Sequence, residues 1–430
     1  MNETFLEEAK AIGDRFVSDA IEAGDMVTWI SRDLQEAPAP TRPQPLAKAM
    51  GPSIYSGTSG VALFLSSLGG MTGEKSYHQA AVKAIQHALF HVQRTPSNAA
   101  GSGAAQGSFY SGGLGVACVA IQIGTLTAQA QLVEEGHSLL RRIHAEPTDA
   151  RLTDLLGVHG SAILTFLDLQ RADPDNAESH LETATRFGDA LDELALEKDG
   201  QVWWRPSDGR NHFKGLTGFS HGAAGYALAM LKLHEATGKE RFRELGLGSL
   251  EYERASFRED LSNWPDFRSP PASPDNYPCS TMWCHGAAGI GYGRSLMVQA
   301  GLADNKVPAE IEAALATTMR FDERSAEFPG QNMMLCHGVF GNLECQWAMR
   351  RALGHEDADD QIKAQAQRMI DRYGHEQRER SSWIDWPTGH TGYSELSMMK
   401  GLAGVGHTLL RLHAPDAVPD VLVPNSLANP

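Results

Sequence analysis

Apolar residues along the chain follow two alternating patterns. In the first, polar, helix-forming stretches carry apolar side chains three or four positions apart. In SHLETATRFGDALDELAL, for example, Leu181, Phe187, Leu191 and Leu194 make one stripe with charges opposite. Seven such stretches, at 5–32, 74–94, 126–145, 176–196, 239–256, 304–320 and 356–374, read as outer helices. In the second pattern a G-x-x-G signature leads into a run that is apolar on nearly every side, as in a helix buried in the middle of a protein. The signature begins at Gly57, Gly112, Gly157, Gly222, Gly286, Gly338 and Gly401, seven copies 45 to 65 residues apart. Forty-three glycines give some G-x-x-G by chance, and GLTG at Gly215 reads as such an extra, but seven copies in one order are a repeat.

Seven helical hairpins predict an all-α fold, an α/α toroid (barrel) with seven inner and seven outer helices. An open helical solenoid is the alternative. Strand signals are poor throughout, which argues against an α/β fold. The whole chain, 1–430, reads as one domain, with 1–50 as N-terminal outer helix and linker and 414–430 as a C-terminal tail. The paired glycines are expected where neighbouring inner helices converge and their backbones approach. Loops leading into inner helices (197–220, 257–284, 375–400) are long and rich in Pro, Gly and Trp, whereas those leaving are short, so function is expected at one rim.

Charge narrows the classes. With 37 Lys plus Arg against 53 Asp plus Glu, the net charge of −16 repels a phosphate backbone, and no basic patch offsets it, so nucleic acid is not an expected partner. The acidic start, MNETFLEEAKAIGDRF, does not resemble a signal peptide. The most apolar stretches, GVALFLSSLGG and GVACVAIQIG, fall short of the roughly 20 residues that span a bilayer. Five cysteines are an odd number and too sparse for a disulfide framework, so a cytoplasmic protein, not membrane-spanning, is expected.

Candidate chemistry sits at one phase of three repeats: FSHG ends at Gly222, WCHG at Gly286 and LCHG at Gly338. Cys284, Cys336 and His337 thereby fall at the starts of two adjacent inner helices, where the helix dipole favours thiolate. Two thiolates and an imidazole form a Cys₂His zinc set, and three protein ligands with one open position mark catalytic zinc. His285 has three readings: fourth ligand, proton donor or pocket wall. His221 suits an acid/base role or is a satisfied structural histidine. Asp154, in TDLLGVHG, is a functional carboxylate or a helix cap. Cys118 and Cys345 read as core, and Cys279 has no assigned role.

The seven G-x-x-G copies, WCHGAAG and LCHG resemble lanthionine synthetase C-like proteins, the LanC cyclase family, from about Gly51 to Leu412. The resemblance implies a toroid with a central Zn2+ held by Cys284, Cys336 and His337. It also implies a substrate, a precursor peptide whose Ser and Thr are already dehydrated. A cysteine thiol activated by zinc adds to dehydroalanine or dehydrobutyrine, and protonation at the α carbon closes a (methyl)lanthionine thioether. The family's histidine maps onto His221 as acid/base. Its third-repeat aspartate maps onto Asp154, with one residue fewer before the glycine than usual. His285 stands where many stand-alone bacterial cyclases have Tyr, as in fused synthetases and eukaryotic members. Ser280 stands where some cyclases have Arg. Glutathione addition to dehydroamino acids and a non-catalytic zinc-stabilised peptide-binding scaffold are the alternative functions. No dehydratase domain is recognisable, so a separate dehydratase is the expected partner.

Overall fold

In the computed structural model, which describes residues 2–35, 44–94, 106–146, 153–206, 214–268, 271, 273, 276–326, 332–378, 386–388 and 395–428, the two patterns become two concentric sets of helices. The helices in chain order are α1 (Asn2–Ser18), α2 (Thr58–Thr72), α3 (Lys75–Arg94), α4 (Gly113–Leu126), α5 (Ala130–Ala145), α6 (His159–Ala172), α7 (Ala177–Leu194) and α8 (Ala223–Thr237). They continue with α9 (Glu240–Ala255), α10 (Ala287–Gln299), α11 (Val307–Ala326), α12 (Val339–Ala352), α13 (Ala358–Tyr373), the single turn α14 (His375–Arg378) and α15 (Leu402–His413). Helices α2, α4, α6, α8, α10, α12 and α15 follow the glycine signatures and form the inner set. In α2 every residue from Thr58 to Gly69 is buried. The outer helices bury one stripe: α7 buries Phe187 and Leu191 fully, while Leu181 and Leu194 pack half-buried against the core.

Six hairpins are sequential, α2 with α3 through α12 with α13. The seventh is not. Helix α1 packs along α15, and α15 packs against α2, so the first helix of the chain is the outer partner of the last inner helix and the ring closes into an α/α toroid. No helix among the described residues is long and apolar enough to cross a membrane.

The first amphipathic stretch departs from the expected helix over 5–32. Helix α1 stops at Ser18, and strands β1 (Ile21–Ala23) and β2 (Met26–Thr28) pair antiparallel. The turn between them uses Gly24 at φ +62°, a conformation a helix interior does not offer, and β-branched Ile21, Val27 and Thr28 prefer the pleated backbone. Two more hairpins lie outside the helical repeat: β3 (Ile30–Gln35) with β4 (Gln44–Ala49), and β5 (Leu196–Lys198) with β6 (Gln201–Trp203). The last turns through Asp199 and Gly200, both at positive φ, the Asp-Gly pairing of a tight hairpin.

The second glycine of each signature has a more local cause than helix convergence. A Cβ on Gly60, Gly115, Gly225, Gly289, Gly341 or Gly404 would lie 1.7–2.3 Å from the carbonyl oxygen six residues upstream. Each inner helix therefore folds back tightly on the loop that leads into it. The third repeat breaks the pattern: its N-cap is Val158, not Gly157, and Ser161 takes the crowded position, its Oγ accepting the Phe109 N–H at 3.2 Å.

Residues 418–427 run against inner helices α6 and α10 and the loops that lead into α4 and α10. The Tyr110 hydroxyl donates to Val421 O, Trp283 Nε1 to Leu422 O and Tyr292 to Asp420, while Ser426 donates to Asp168. Val418, Val421, Leu422 and Leu427 are buried, so this segment lies within the ring of inner helices.

Candidate metal centre

The loops leading into the inner helices are stitched to one another by backbone hydrogen bonds at a single repeat phase. Leu156 donates to Ser220, Ser220 to Cys284, Cys284 to Cys336, Cys336 to Met399, Met399 to Tyr55 and Tyr55 to Tyr110, over 2.8–3.3 Å. The Ser108 hydroxyl then reaches the Leu156 carbonyl at 3.2 Å. This belt sets which rim residues are neighbours. It brings Cys284 beside Cys336 and puts His221, His285 and His337 one residue further along, immediately before the N-caps Gly222, Gly286 and Gly338.

Cys284 Sγ, Cys336 Sγ and a ring nitrogen of His337 lie within 4.8 Å of one another, with both cysteines buried. Ligand atoms around one tetrahedral ion stand about 3.5–4 Å apart, so two sulfurs and an imidazole at this spacing fit a single soft or borderline metal. The first amides of the two helices do not face this cluster. Ala287 N–H goes to Asn263 Oδ1 and Val339 N–H to the Asn332 carbonyl. The thiolate is favoured instead by side chains. Cys284 donates to Cys336, and with His337 and the Tyr55 hydroxyl this holds the Cys336 thiol well below its usual range. The same bond, with burial, holds Cys284 well above it.

Tyr55 was not singled out by sequence, although it occupies the repeat position of Cys284 and Cys336, two residues before the first glycine. Its hydroxyl donates to Cys336 Sγ at 3.0 Å. Burial, followed by the neighbouring Cys336, pushes the phenol well above its ordinary value, so it stays a donor.

His221 Nδ1 donates to Asp154 Oδ2 at 3.0 Å. Burial works against charge on this ring, but the Asp154 carboxylate outweighs it and the His221 pKa is raised. Asp154 Oδ1 accepts the Gly157 N–H at 2.5 Å, so the carboxylate both caps its loop and orients the histidine. The missing residue between Asp154 and its glycine has a structural answer. Because the N-cap is Val158, Leu156 takes the belt position of Cys284 and Gly157 that of the histidines.

His285 is not in the cluster. Its Nδ1 donates to the Thr217 carbonyl at 3.2 Å, its ring lies parallel to that of His221 at 5.5 Å, and its buried Nε2 has no partner among the described residues. Burial, then the charge of Arg268, pushes its pKa down to about 3, so it is neutral. Cys118 and Cys345 are fully buried in α4 and α12, as expected of core residues. Cys279 is half-buried in the loop before Cys284, where it pairs with Pro265.

Arg268, also unmarked by sequence, lies on that paired segment. Its Nε and Nη2 clasp Asp266 at 2.9 and 2.7 Å, and Ser280 Oγ donates to the same carboxylate at 3.0 Å. The guanidinium is within electrostatic reach of Cys284, Cys336, His221 and His285. Ser280 thus braces Asp266, which holds Arg268 from another part of the loop. No periodicity governs that loop, so no spacing announced it.

Comparison with known proteins agrees with this architecture. Nisin cyclase has the same fold, with TM-score 0.60 and 17% identity over 86% of this chain and 90% of that chain. Weaker likenesses are to the unsaturated glucuronyl hydrolase from Bacillus sp. GL1 (TM-score 0.42, 14% identity, 75% of this chain and 85% of that one) and to an inactive α-1,6-mannanase variant of Salegentibacter sp. HEL1_6 (TM-score 0.41, 12% identity, 76% and 88%). A sequence search of curated proteins gives no match. The family model described as lanthionine synthetase C-like protein matches residues 48–423, nearly the whole toroid and all seven glycine signatures, and the chain belongs to that family.

Proposed function

We propose that this protein is a zinc-dependent peptide cyclase that adds cysteine thiols to dehydroalanine or dehydrobutyrine in a dehydrated precursor, a separate dehydratase supplying that substrate. The observation that carries the reading is the Cys284, Cys336 and His337 set, its two cysteines buried, lying on the same belt as the His221–Asp154 pair. Zinc held by these three side chains would lower the pKa of an incoming thiol from ~8.5 into the neutral range while leaving it nucleophilic. The protein's own groups do the rest. As the substrate sulfur bonds to the β carbon, the alkene π pair moves toward the adjacent carbonyl. Arg268, fixed by Asp266, offers the compensating positive charge. His221, its pKa raised by Asp154 against burial, gives a proton to the α carbon and recovers one from the thiol by way of solvent. Atoms balance without oxidant or reductant. Neutral His285 stacks against His221.

The test uses a synthetic peptide containing one dehydroalanine and one cysteine. Ring closure leaves mass unchanged, so it is read by loss of reaction with a thiol-alkylating reagent. The zinc-loaded protein is expected to abolish alkylation and the chelator-treated protein to leave it intact. A peptide that stays fully alkylatable with stoichiometric zinc present would overturn the cyclase reading. If the peptide instead gains the mass of added glutathione, the thiol donor is glutathione.

A further inference from the structure

Thiol addition at this site raises a problem of selectivity, because two sulfurs of the protein lie where a third is to attack an electrophilic alkene. Addition of Cys336 itself would balance equally well. Its sulfur would bond to the β carbon, the π pair would pass to the α carbon, and a proton there would complete a dead, covalently modified enzyme. The structure treats the two cysteines differently: Cys336 accepts the Tyr55 hydroxyl at 3.0 Å. Tyr55 is firmly placed for this. Its N–H bonds Tyr110 O at 2.9 Å, its carbonyl takes the Met399 N–H at 3.1 Å, and its ring meets Tyr110 edge-on at 6.5 Å. The contact joins residues 281 apart in sequence, from the first and sixth repeats.

We propose that Tyr55 is a positioning residue that keeps Cys336 a ligand and out of the addition, by a hydrogen bond that draws charge from its sulfur. A donor shared with a thiolate lowers its nucleophilicity, which leaves addition to the substrate sulfur and not to Cys336. Outer hydrogen bonds of this kind tune ligands at metal sites generally. The inference rests on the metal-and-thiol reading above.

Tyr55→Phe removes the hydroxyl and keeps the ring. Tyr110→Phe is the control: it removes a neighbouring rim hydroxyl whose hydrogen bond goes to Val421 O and not to Cys336. Wild type and both variants are loaded with Co2+, whose thiolate-to-metal absorption reports sulfur charge. They are then exposed to N-acetyldehydroalanine methyl ester, and adducts are located by peptide mass mapping. One Co2+ per chain is expected in all three. The absorption should move to longer wavelength in Tyr55→Phe alone, with adduct on Cys336 forming about tenfold faster there, as suits loss of a hydrogen bond to a charged acceptor. If Tyr55→Phe matches wild type in absorption, or shifts it without faster Cys336 modification, the proposal is overturned and the metal reading stands. If wild type takes up no Co2+, both fall.

Discussion

The crowding behind the second glycine of each repeat makes a quantitative prediction at Gly341. A Cβ there would sit 1.7 Å from Leu335 O, and that carbonyl must retreat by about 1.3 Å to reach the 3.0 Å that side chains tolerate. It cannot move alone. The peptide is planar, so displacing Leu335 O swings the Cys336 N–H away from Met399 O, now 2.8 Å distant. Overpacking of this kind costs about 1–3 kcal/mol, and the lost belt bond about 1 kcal/mol. The helix-propensity gain of Gly→Ala returns only about 1 kcal/mol. Gly341→Ala should therefore be destabilised by about 2 kcal/mol, and it should lose metal because Cys336 is displaced with its amide. Gly70 is the internal control: it lies in α2, exposed, with nothing within 4 Å of a Cβ, so Gly70→Ala should be neutral or stabilised by up to about 1 kcal/mol. Guanidinium denaturation followed by circular dichroism, with zinc content measured on the same samples, distinguishes them. A Gly341→Ala protein as stable as wild type and fully loaded with zinc would refute the account of why the signature exists.

Cys284→Ala should lose the single zinc per chain, and metal analysis showing stoichiometric zinc in that variant removes the residue from the ligand set. His221→Ala should keep its zinc and slow ring closure by ~10²–10⁴-fold, a typical loss for a general acid; closure at the wild-type rate would exclude it. Because Asp154 is what raises the His221 pKa against burial, Asp154→Asn should move the alkaline limb of the rate profile to lower pH, and an unshifted limb would contradict the pairing. Arg268→Gln should cut the rate by ~10²-fold, the scale of one oxyanion donor, with zinc retained and partial rescue by Arg268→Lys. Equal rates in Arg268→Gln and wild type would leave Arg268 only its contact with Asp266.

The alternation of helices, and the grouping of Cys284, Cys336 and His337, were legible in the sequence, because both are carried by short-range spacing. A 3.6-residue period marks a stripe, and a fixed offset from a repeated glycine marks a rim position. His221 stood out by its repeat phase and Asp154 by its place before the third signature, but their alternatives stayed open on the residues alone and their roles came from the family resemblance. The frame of the third repeat was misjudged because Ser161 replaces the expected glycine, and only the helix start at Val158 corrects it. Residues 5–32 carried enough helical periodicity to hide the turn at Gly24. Tertiary structure alone decided that α1 closes the ring on α15, that the C-terminal segment packs among the inner helices, and that Tyr55 and Arg268 reach the cysteines. Arg268 comes from an irregular loop with no period to read, whereas the other contacts join residues far apart in the chain, made only once the seven hairpins have turned full circle, and no local pattern encodes where a circle closes.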